Sequence, residues 1–326
     1  MCQNVPKAIR PGNNLRVLTT YKDLSERSRG AVIALGNFDG LHRGHQVVIN
    51  KAAQIAKDKA APLGIACFHP HPVLFFKPDT EPFRLMSRRV RARLLSEMHV
   101  DRLYDLPFDK ELASMDDEEF VETVLHKGLG VLHVVVGTDF KYGKGRCGNY
   151  ETLKTHCQAR GIGITGIEPI SLHQSYGKYG STEIRNALRD GDVFFAAHML
   201  SRPWIVDGEV MHGDQLGRTL GFPTANIYFN DRLRPKPGIY AAQCRLEGES
   251  IWRHGIAYVG DRPTVDGKDH RLEMHIFDFD ADIYGSVLDV AFRTFIREDV
   301  KFDGLDSLKA QMQKDCDGAR AIFGLL

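Results

Sequence analysis

The order of apolar segments predicts an α/β domain with a parallel sheet, followed by a small antiparallel β-barrel. Short apolar strands alternate with helical segments from about Leu15 to Arg189. From about Pro203 onward strands follow one another, separated by Gly- and Asp-rich turns. The chain length of 326 residues suits two domains of ~100–200 residues each. A hydrophobic fraction of 43% and a charged fraction of 26% are those of a globular chain and exclude a disordered or collagen-like one.

In the first half, Ala31–Leu35, Leu63–Phe68, Leu103–Leu106, Val131–Val136 and Ile162–Ile167 read as strands. Gln46–Lys59, Ser87–Met98, Asp116–Lys127 and Tyr150–Arg160 read as helices between them. The third of these opens on DDEE, which suits the positive end of a helix dipole. Near-continuous apolar strands imply a parallel sheet covered on both faces, with ligands at the carboxyl ends of the strands. In the second half, Trp204–His212, Ile239–Leu246, Ser250–Val259, Arg271–Phe277 and Ser286–Ile296 read as strands, with one closing helix over Leu305–Asp315. The expected division is therefore 15–189, a linker at 190–202, and 203–326.

Lys and Arg total 43 against 42 for Asp and Glu, a net charge of +1. That balance argues against nucleic acid as a partner, since such affinity comes from clustered cations. It leaves room for small polyanions in local pockets. No apolar run reaches the ~20 residues of a membrane span, and MCQNVPKAIRPGNN has no apolar core for a secretory signal. A cytosolic, reduced protein is expected, and an oligomer is left open. The 6 cysteines form no C-x-x-C pair. Cys67, His69 and His71 alternate, but Pro70 and Pro72 break the strand and no fourth zinc ligand is apparent.

The first chemical motif follows the strand Ala31–Leu35. Gly36–His45, GNFDGLHRGH, opens a helix, so His42 and His45 share one face of its first turn. Gly44 lets a phosphate approach the backbone, and the free N–H groups favour an anion. Two imidazoles add donors for charge developing on an α-phosphate. The plain alternative is a helix start with two surface histidines; the strand before it and the flanking GNFDG favour phosphate. The second motif is Gly180–Arg185, GSTEIR, also opening a helix. Ser181 can simply cap that helix, or Ser181, Thr182 and Arg185 can hold the β- and γ-phosphates of a nucleotide.

His212–Asn226, HGDQLGRTLGFPTAN, is the most informative stretch. Glycines at 213, 217 and 221 form a loop able to turn its N–H groups toward phosphates. Thr224 and Asn226 alternate, so both can present oxygens to Mg²⁺. Residue chemistry alone leaves a phosphate loop and a plain inter-strand connection on equal terms. Further on, Glu273, His275 and Phe277 alternate onto one face, and an acid facing a barrel interior must be paired, protonated or functional.

The chain resembles the prokaryotic bifunctional riboflavin kinase/FMN adenylyltransferases (FAD synthetases). The resemblance runs from about Ala31 to Asp315. It rests on GNFDGLHRGHQ, FHPHPVLFF at Phe68–Phe76, LPFD at Leu106–Asp109, EEFV at Glu118–Val121, VVVGTDFKYG at Val134–Gly143 and STEIR at Ser181–Arg185. In the second half it rests on G-x-x-x-G-F-P-T-A-N, GIAYVGDRPTV at Gly255–Val265, DIYG at Asp282–Gly285 and FIREDVKF at Phe295–Phe302. It implies a Rossmann-like nucleotidyltransferase domain and a Greek-key flavokinase barrel with a C-terminal helix. The implied chemistry is riboflavin plus MgATP to FMN, then FMN plus ATP to FAD and pyrophosphate.

By the same resemblance, Asn37, His42 and His45 hold ATP for adenylylation, Ser181, Thr182 and Arg185 its outer phosphates, and Asp139 lines the site. Gly217, Arg218, Thr219 and Gly221 become the kinase nucleotide contacts, Thr224 and Asn226 the Mg²⁺ ligands, and Glu273 the general base for the riboflavin 5′-hydroxyl. Arg297 becomes a flavin-site neighbour, and Asp282–Gly285 reads as structural. The chain departs from the family's usual pattern at Gly180 (commonly Ser), Glu183 (commonly basic) and Asn149 (commonly Asp). Three other readings fit less well. Another nucleotidyltransferase does not account for Gly213–Asn226. An aminoacyl-tRNA synthetase wants a Lys-rich second signature, which Met86–Arg89 imitates poorly. A non-catalytic flavin sensor predicts loss of Glu273 or Thr224, and both are present.

Overall fold

The computed structural model describes residues 15–170, 179–213, 216–264 and 267–325. The N-terminal stretch with Cys2, and Asp214, Gln215 and Val265 of the motifs above, lie outside them. Contacts divide the chain into two compact units, Met1–Thr80 with Arg88–Tyr179, and Glu81–Ser87 with Gly180–Leu326. This division falls ahead of the expected linker at 190–202, and it gives a short stretch of the first half to the second unit.

The first unit carries six parallel strands: β1 (Arg16–Leu18), β2 (Val32–Leu35), β3 (Leu63–His69), β4 (Arg102–Pro107), β5 (His133–Gly137) and β6 (Gly163–Ile167). Their order is β1-β4-β3-β2-β5-β6. The chain leaves β2 toward β3 on one side and later returns to pair β5 on the other, so the β2/β5 seam is the topological switch point. The helices are α1 (Arg43–Asp58), α2 (Pro72–Phe76), α3 (Arg88–Glu97), α4 (Lys110–Ser114), α5 (Asp117–Glu119) and α6 (Tyr150–Ala159). The DDEE turn is a capping box closed by Asp116 and Glu119. The helix then widens to π geometry over Phe120–Gly128, where a single α-helix was expected. Ile33, Leu35, Tyr104, Leu106, Phe120 and Val124 meet in one buried core.

Beneath the carboxyl ends of β3 and β4 lies a buried ionic cluster. Asp105 is 3% exposed and accepts from Arg91 Nη2 and Arg88 Nε, each at 2.6 Å. Burial works to raise the Asp105 carboxyl, but Arg91 and Arg88 outweigh it and hold the carboxyl below the usual range.

The second unit opens on α7 (Ser181–Asp190) and α8 (Val193–Leu200), so a helix occupies most of the expected linker. Six antiparallel strands follow: β7 (Trp204–Glu209), β8 (Ala225–Tyr228), β9 (Gly238–Leu246), β10 (Arg253–Thr264), β11 (Gly267–Ile276) and β12 (Val287–Arg297). Their order is β7-β12-β9-β10-β11-β8, and an antiparallel bridge of Met211 to Asn226 brings the two edges together, leaving a nearly closed barrel. A short helix, α9 (Leu216–Leu220), sits in the Gly-rich stretch, and α10 (Leu305–Ile322) runs longer than the expected Leu305–Asp315. The segment 81–87 is tied into this unit by Trp204 Nε1 donating to the Leu85 carbonyl at 2.7 Å. Ser87 Oγ donates to Asp207 at 2.9 Å, and Arg84 Nη1 to Asp231 at 3.0 Å.

Asp105→Asn removes the carboxylate hydrogen-bonded to Arg91 and leaves a guanidinium 3% exposed. The expected cost is about 3–5 kcal/mol of unfolding free energy, read by denaturant titration. Because the folded carboxyl is depressed, this stability is present above the unfolded value near ~3.9. It is lost as pH falls through the lower folded value. The gap between wild type and variant should therefore shrink under acid.

Candidate active sites

At the carboxyl end of β2 the backbone turns through three left-handed residues, Phe38 (φ 51°), Gly40 (φ 92°) and Leu41 (φ 47°). Two of them carry side chains that disfavour this region. Phe38 and Leu41 are each 1% exposed, and that burial holds the strained turn while Asn37 stays exposed. Gln46 Nε2 donates to the Leu41 carbonyl at 2.9 Å, a second anchor. His42 is the N-cap of α1; its Nδ1 accepts from the His45 N–H at 3.3 Å. The neutral His42 ring therefore carries its proton on Nε2. The two imidazoles stack at 3.6 Å between centroids, and Phe38 leans on His45 at 5.2 Å. A Cβ on Gly44 would stand 3.1 Å from the His42 ring, so the glycine makes room for that ring. Asp139 is exposed two residues beyond β5, with a carboxylate oxygen 2.9 Å from where a Gly137 Cβ would sit. The His42–His45 turn and Asp139 thus follow the two strands that flank the switch point.

The Ser181, Thr182 and Arg185 candidates belong to α7 of the second unit. Gly180 is the N-cap and makes no side-chain cap. Arg185 Nε donates to the Phe83 carbonyl at 2.9 Å, and the guanidinium lies 5.1 Å from the Phe83 ring centroid. Asn149 caps α6 through Glu151 and Thr152 N–H groups, so the departure from the commoner Asp preserves a helix cap.

The barrel holds a cavity of about 420 Å³ lined by Gly213, Gly217, Thr224, Asn226, Glu273 and Tyr284, among others. Register explains it. β8 runs antiparallel to β11 with Asn226 directly opposite Glu273, so the two side chains share a face. Thr224 lies two residues before Asn226 and projects to the same side. Asn226 is 6% exposed, and its amide nitrogen reaches the Thr224 carbonyl at 3.5 Å. Gly213 sits against that amide, since a Cβ there would be 2.4 Å from Asn226 Nδ2. Gly217 and Gly221 frame α9, which carries Arg218 and Thr219; Gly217 accepts the Phe222 N–H at 2.8 Å, and Gly221 takes φ 88°.

One sequence expectation changes here. Asp282, Ile283 and Tyr284, read as structural, line the cavity, and Tyr284 stacks on His212 at 3.8 Å. Arg297, the flavin-site candidate, makes a two-point pair with Asp315 of α10 at 2.9 and 2.6 Å. The Cys67, His69 and His71 alternation comes apart. Cys67 is buried with Sγ 3.6 Å from Asp105, β3 ends at His69, and His71 caps α2. Among the described residues no group of three His, Cys, Asp or Glu side chains is placed to hold a metal ion.

Residues 24–181 match the family described as FAD synthetase and residues 200–323 the family described as riboflavin kinase. A bifunctional riboflavin kinase/FMN adenylyltransferase of Pseudomonas fluorescens is 38% identical over 310 residues, covering 94% of this chain and 98% of the relative. The Escherichia coli K12 protein of that name is 36% identical over 312 residues, covering 95% and 99%. The chain belongs to the bifunctional riboflavin kinase/FMN adenylyltransferase family. A crystal structure described as a macrolide-efflux protein of Streptococcus pneumoniae also matches. It is 31% identical with a TM-score of 0.82, over 94% of this chain and 99% of that one. That description stays with that protein; among the described residues here no helix is long and apolar enough to cross a membrane.

Within this family the Gly180 and Glu183 departures form one structural unit. A Cβ on Gly180 would lie 2.3 Å from Glu183 Oε2, so the carboxylate folds over the space that a side chain at this position would fill. A carboxylate over the first turn suits the helix dipole. Gly180→Ser should add a better N-cap while displacing Glu183. The expected outcome is a stability change that improves by about 0.5–1 kcal/mol when Glu183→Ala is already present. A double-mutant cycle by thermal unfolding reads this, and additive changes would contradict the pairing.

Proposed function

We propose that FMN is adenylylated at the His42–His45 turn beside the switch point, and that riboflavin is phosphorylated in the barrel cavity beside Glu273. The family membership supplies the two activities, so ATP, riboflavin and FMN are the small-molecule substrates. The observation that carries the kinase assignment is the register that sets Asn226 opposite Glu273 in a cavity floored by Gly213 and Gly217.

In the kinase step Glu273 accepts the proton of the riboflavin 5′-hydroxyl as its oxygen bonds the γ-phosphorus. The bond to the β–γ bridging oxygen breaks, and ADP leaves. A carboxylate is a weak base, so orientation and charge neutralisation carry most of the rate. Gly217, Arg218, Thr219 and Gly221 are the proposed nucleotide contacts. Thr224 and Asn226 form an all-oxygen donor pair suited to Mg²⁺, and the buried, anchored Asn226 amide fits a fixed ligand. The ion, when bound, offsets phosphate charge. Arg297, paired with Asp315 of α10, is the proposed flavin-site neighbour.

In the adenylylation step a phosphate oxygen of FMN bonds the α-phosphorus of ATP and pyrophosphate leaves. His42 Nε2–H and His45 are donors for the charge that builds on the α-phosphate. Asn37 and Asp139 lie at the ends of β2 and β5, where a ligand at the switch point meets them. Ser181, Thr182 and Arg185, in the first turns of α7, are the proposed contacts for the outer phosphates, and the resemblance of STEIR supports that reading. The five described cysteines are free thiols, which together with the demand for ATP supports a cytosolic location.

Glu273→Gln should lower FMN formation from riboflavin by ~10²-fold or more while FAD formation from supplied FMN continues. Both steps surviving in a chromatographic time course would remove Glu273 as the base. His42→Ala with His45→Ala should do the reverse, with FMN accumulating and FAD formation falling by ~10²-fold or more. Unchanged FAD output would overturn the turn's assignment.

A further inference from the structure

The alternation Glu273-x-His275 puts a titratable ring beside the proposed base, and neither the motif nor the mechanism uses it. The ladder between β8 and β11 ends at the Ala225–Met274 pair. The next positions are Thr224 on one chain and His275 on the other. Beyond the last rung, His275 Nδ1 lies 2.9 Å from the Pro223 carbonyl oxygen. A carbonyl has no proton, so Nδ1 must carry it, and the neutral ring is the Nδ1–H tautomer. The ring is held by Phe222 at 5.5 Å and Phe277 at 5.9 Å, both edge to face. Burial depresses its basicity, with Arg320 adding to this and the Pro223 bond and Asp278 opposing. Proline's ring fixes φ at Pro223, so pinning its carbonyl orients the next peptide, which carries Thr224.

We infer that His275 is a positioning residue for the kinase reaction: by donating to the Pro223 carbonyl it holds the Thr224–Asn226 strand end in register with Glu273. The inference rests on the kinase reading of Thr224, Asn226 and Glu273. It differs from a packing role because it requires a donor at the Nδ1 position. His275→Asn places an amide N–H near that position. His275→Leu keeps bulk without a donor, and His275→Gln keeps an amide with the wrong reach.

The test uses the full chain. Steady-state kinetics follow riboflavin phosphorylation against ATP concentration and, separately, adenylylation of supplied FMN. Long-range ¹H–¹⁵N NMR of labelled histidine reads the tautomer. The expected result is a ~10–100-fold fall in kinase kcat/KM for His275→Leu and His275→Gln, of the size that ~1 Å of misplacement causes. His275→Asn should stay within about 3-fold of wild type on the same scale. Adenylylation should be unchanged in all three, and His275 should show the Nδ1–H tautomer. Should His275→Leu fail to fold, the contrast of His275→Asn with His275→Gln decides. Unchanged kinase kinetics in His275→Gln, equal losses in Asn and Gln variants, or an Nε2–H tautomer would each overturn the inference. Full activity of Glu273→Gln would instead remove the base reading, and the tautomer and the Asn/Gln contrast would still judge the tether.

Discussion

A backbone turn that offers N–H groups to a phosphate has fewer of them left for a helix or a ladder. Something else must hold it, and in both units buried side chains do so. At the end of β2, Phe38 and Leu41 are locked into left-handed backbone by burial, and Gln46 takes the Leu41 carbonyl. In the barrel, Phe222 is 8% exposed within a core shared with Ile239, Ile256 and α10, and the Gly217 carbonyl closes on its N–H. Apolar burial supplies the rigidity that hydrogen bonding gives elsewhere, as the proposed phosphate sites require.

The two sheets place chemistry differently. In the parallel sheet every strand points the same way, so functional residues gather after strand ends, and the reversal of order between β2 and β5 opens the space they serve. In the antiparallel barrel the site is a matter of register. Asn226 faces Glu273 because β8 and β11 pair in one alignment, and a slip of one residue would turn either side chain to the other face. The ionic cluster of Asp105 with Arg88 and Arg91 belongs to the first kind of constraint, since it fixes α3 against the ends of β3 and β4.

Much was legible in the residues themselves. Apolar strands alternating with helices, then strands in succession, follow from local periodicity, and the His42–His45 and Gly213–Asn226 motifs are contiguous in sequence. β8 and α9 were not visible, because three glycines in the stretch suggest a loop and only pairing to β11 makes Ala225–Tyr228 a strand. The π turn at Phe120–Gly128 was not visible either, since helical periodicity does not separate i→i+4 from i→i+5 bonding. Tyr284 was read as structural because local pattern does not mark a cavity; its stack on His212 spans 72 residues of chain.

The sequence alone therefore determined the two architectures, the family and the contiguous motifs, because each is written in spacing along one stretch of chain. The tertiary structure decided which residues face one another: His42 over His45, Asn226 across from Glu273, His275 beneath Pro223, and Glu81–Ser87 with the second unit. It also gave Arg297 to Asp315 and separated Cys67 from His71. Such choices depend on pairing and burial between distant segments, where one polar partner displaces another by a few kcal/mol, and local pattern holds no record of them.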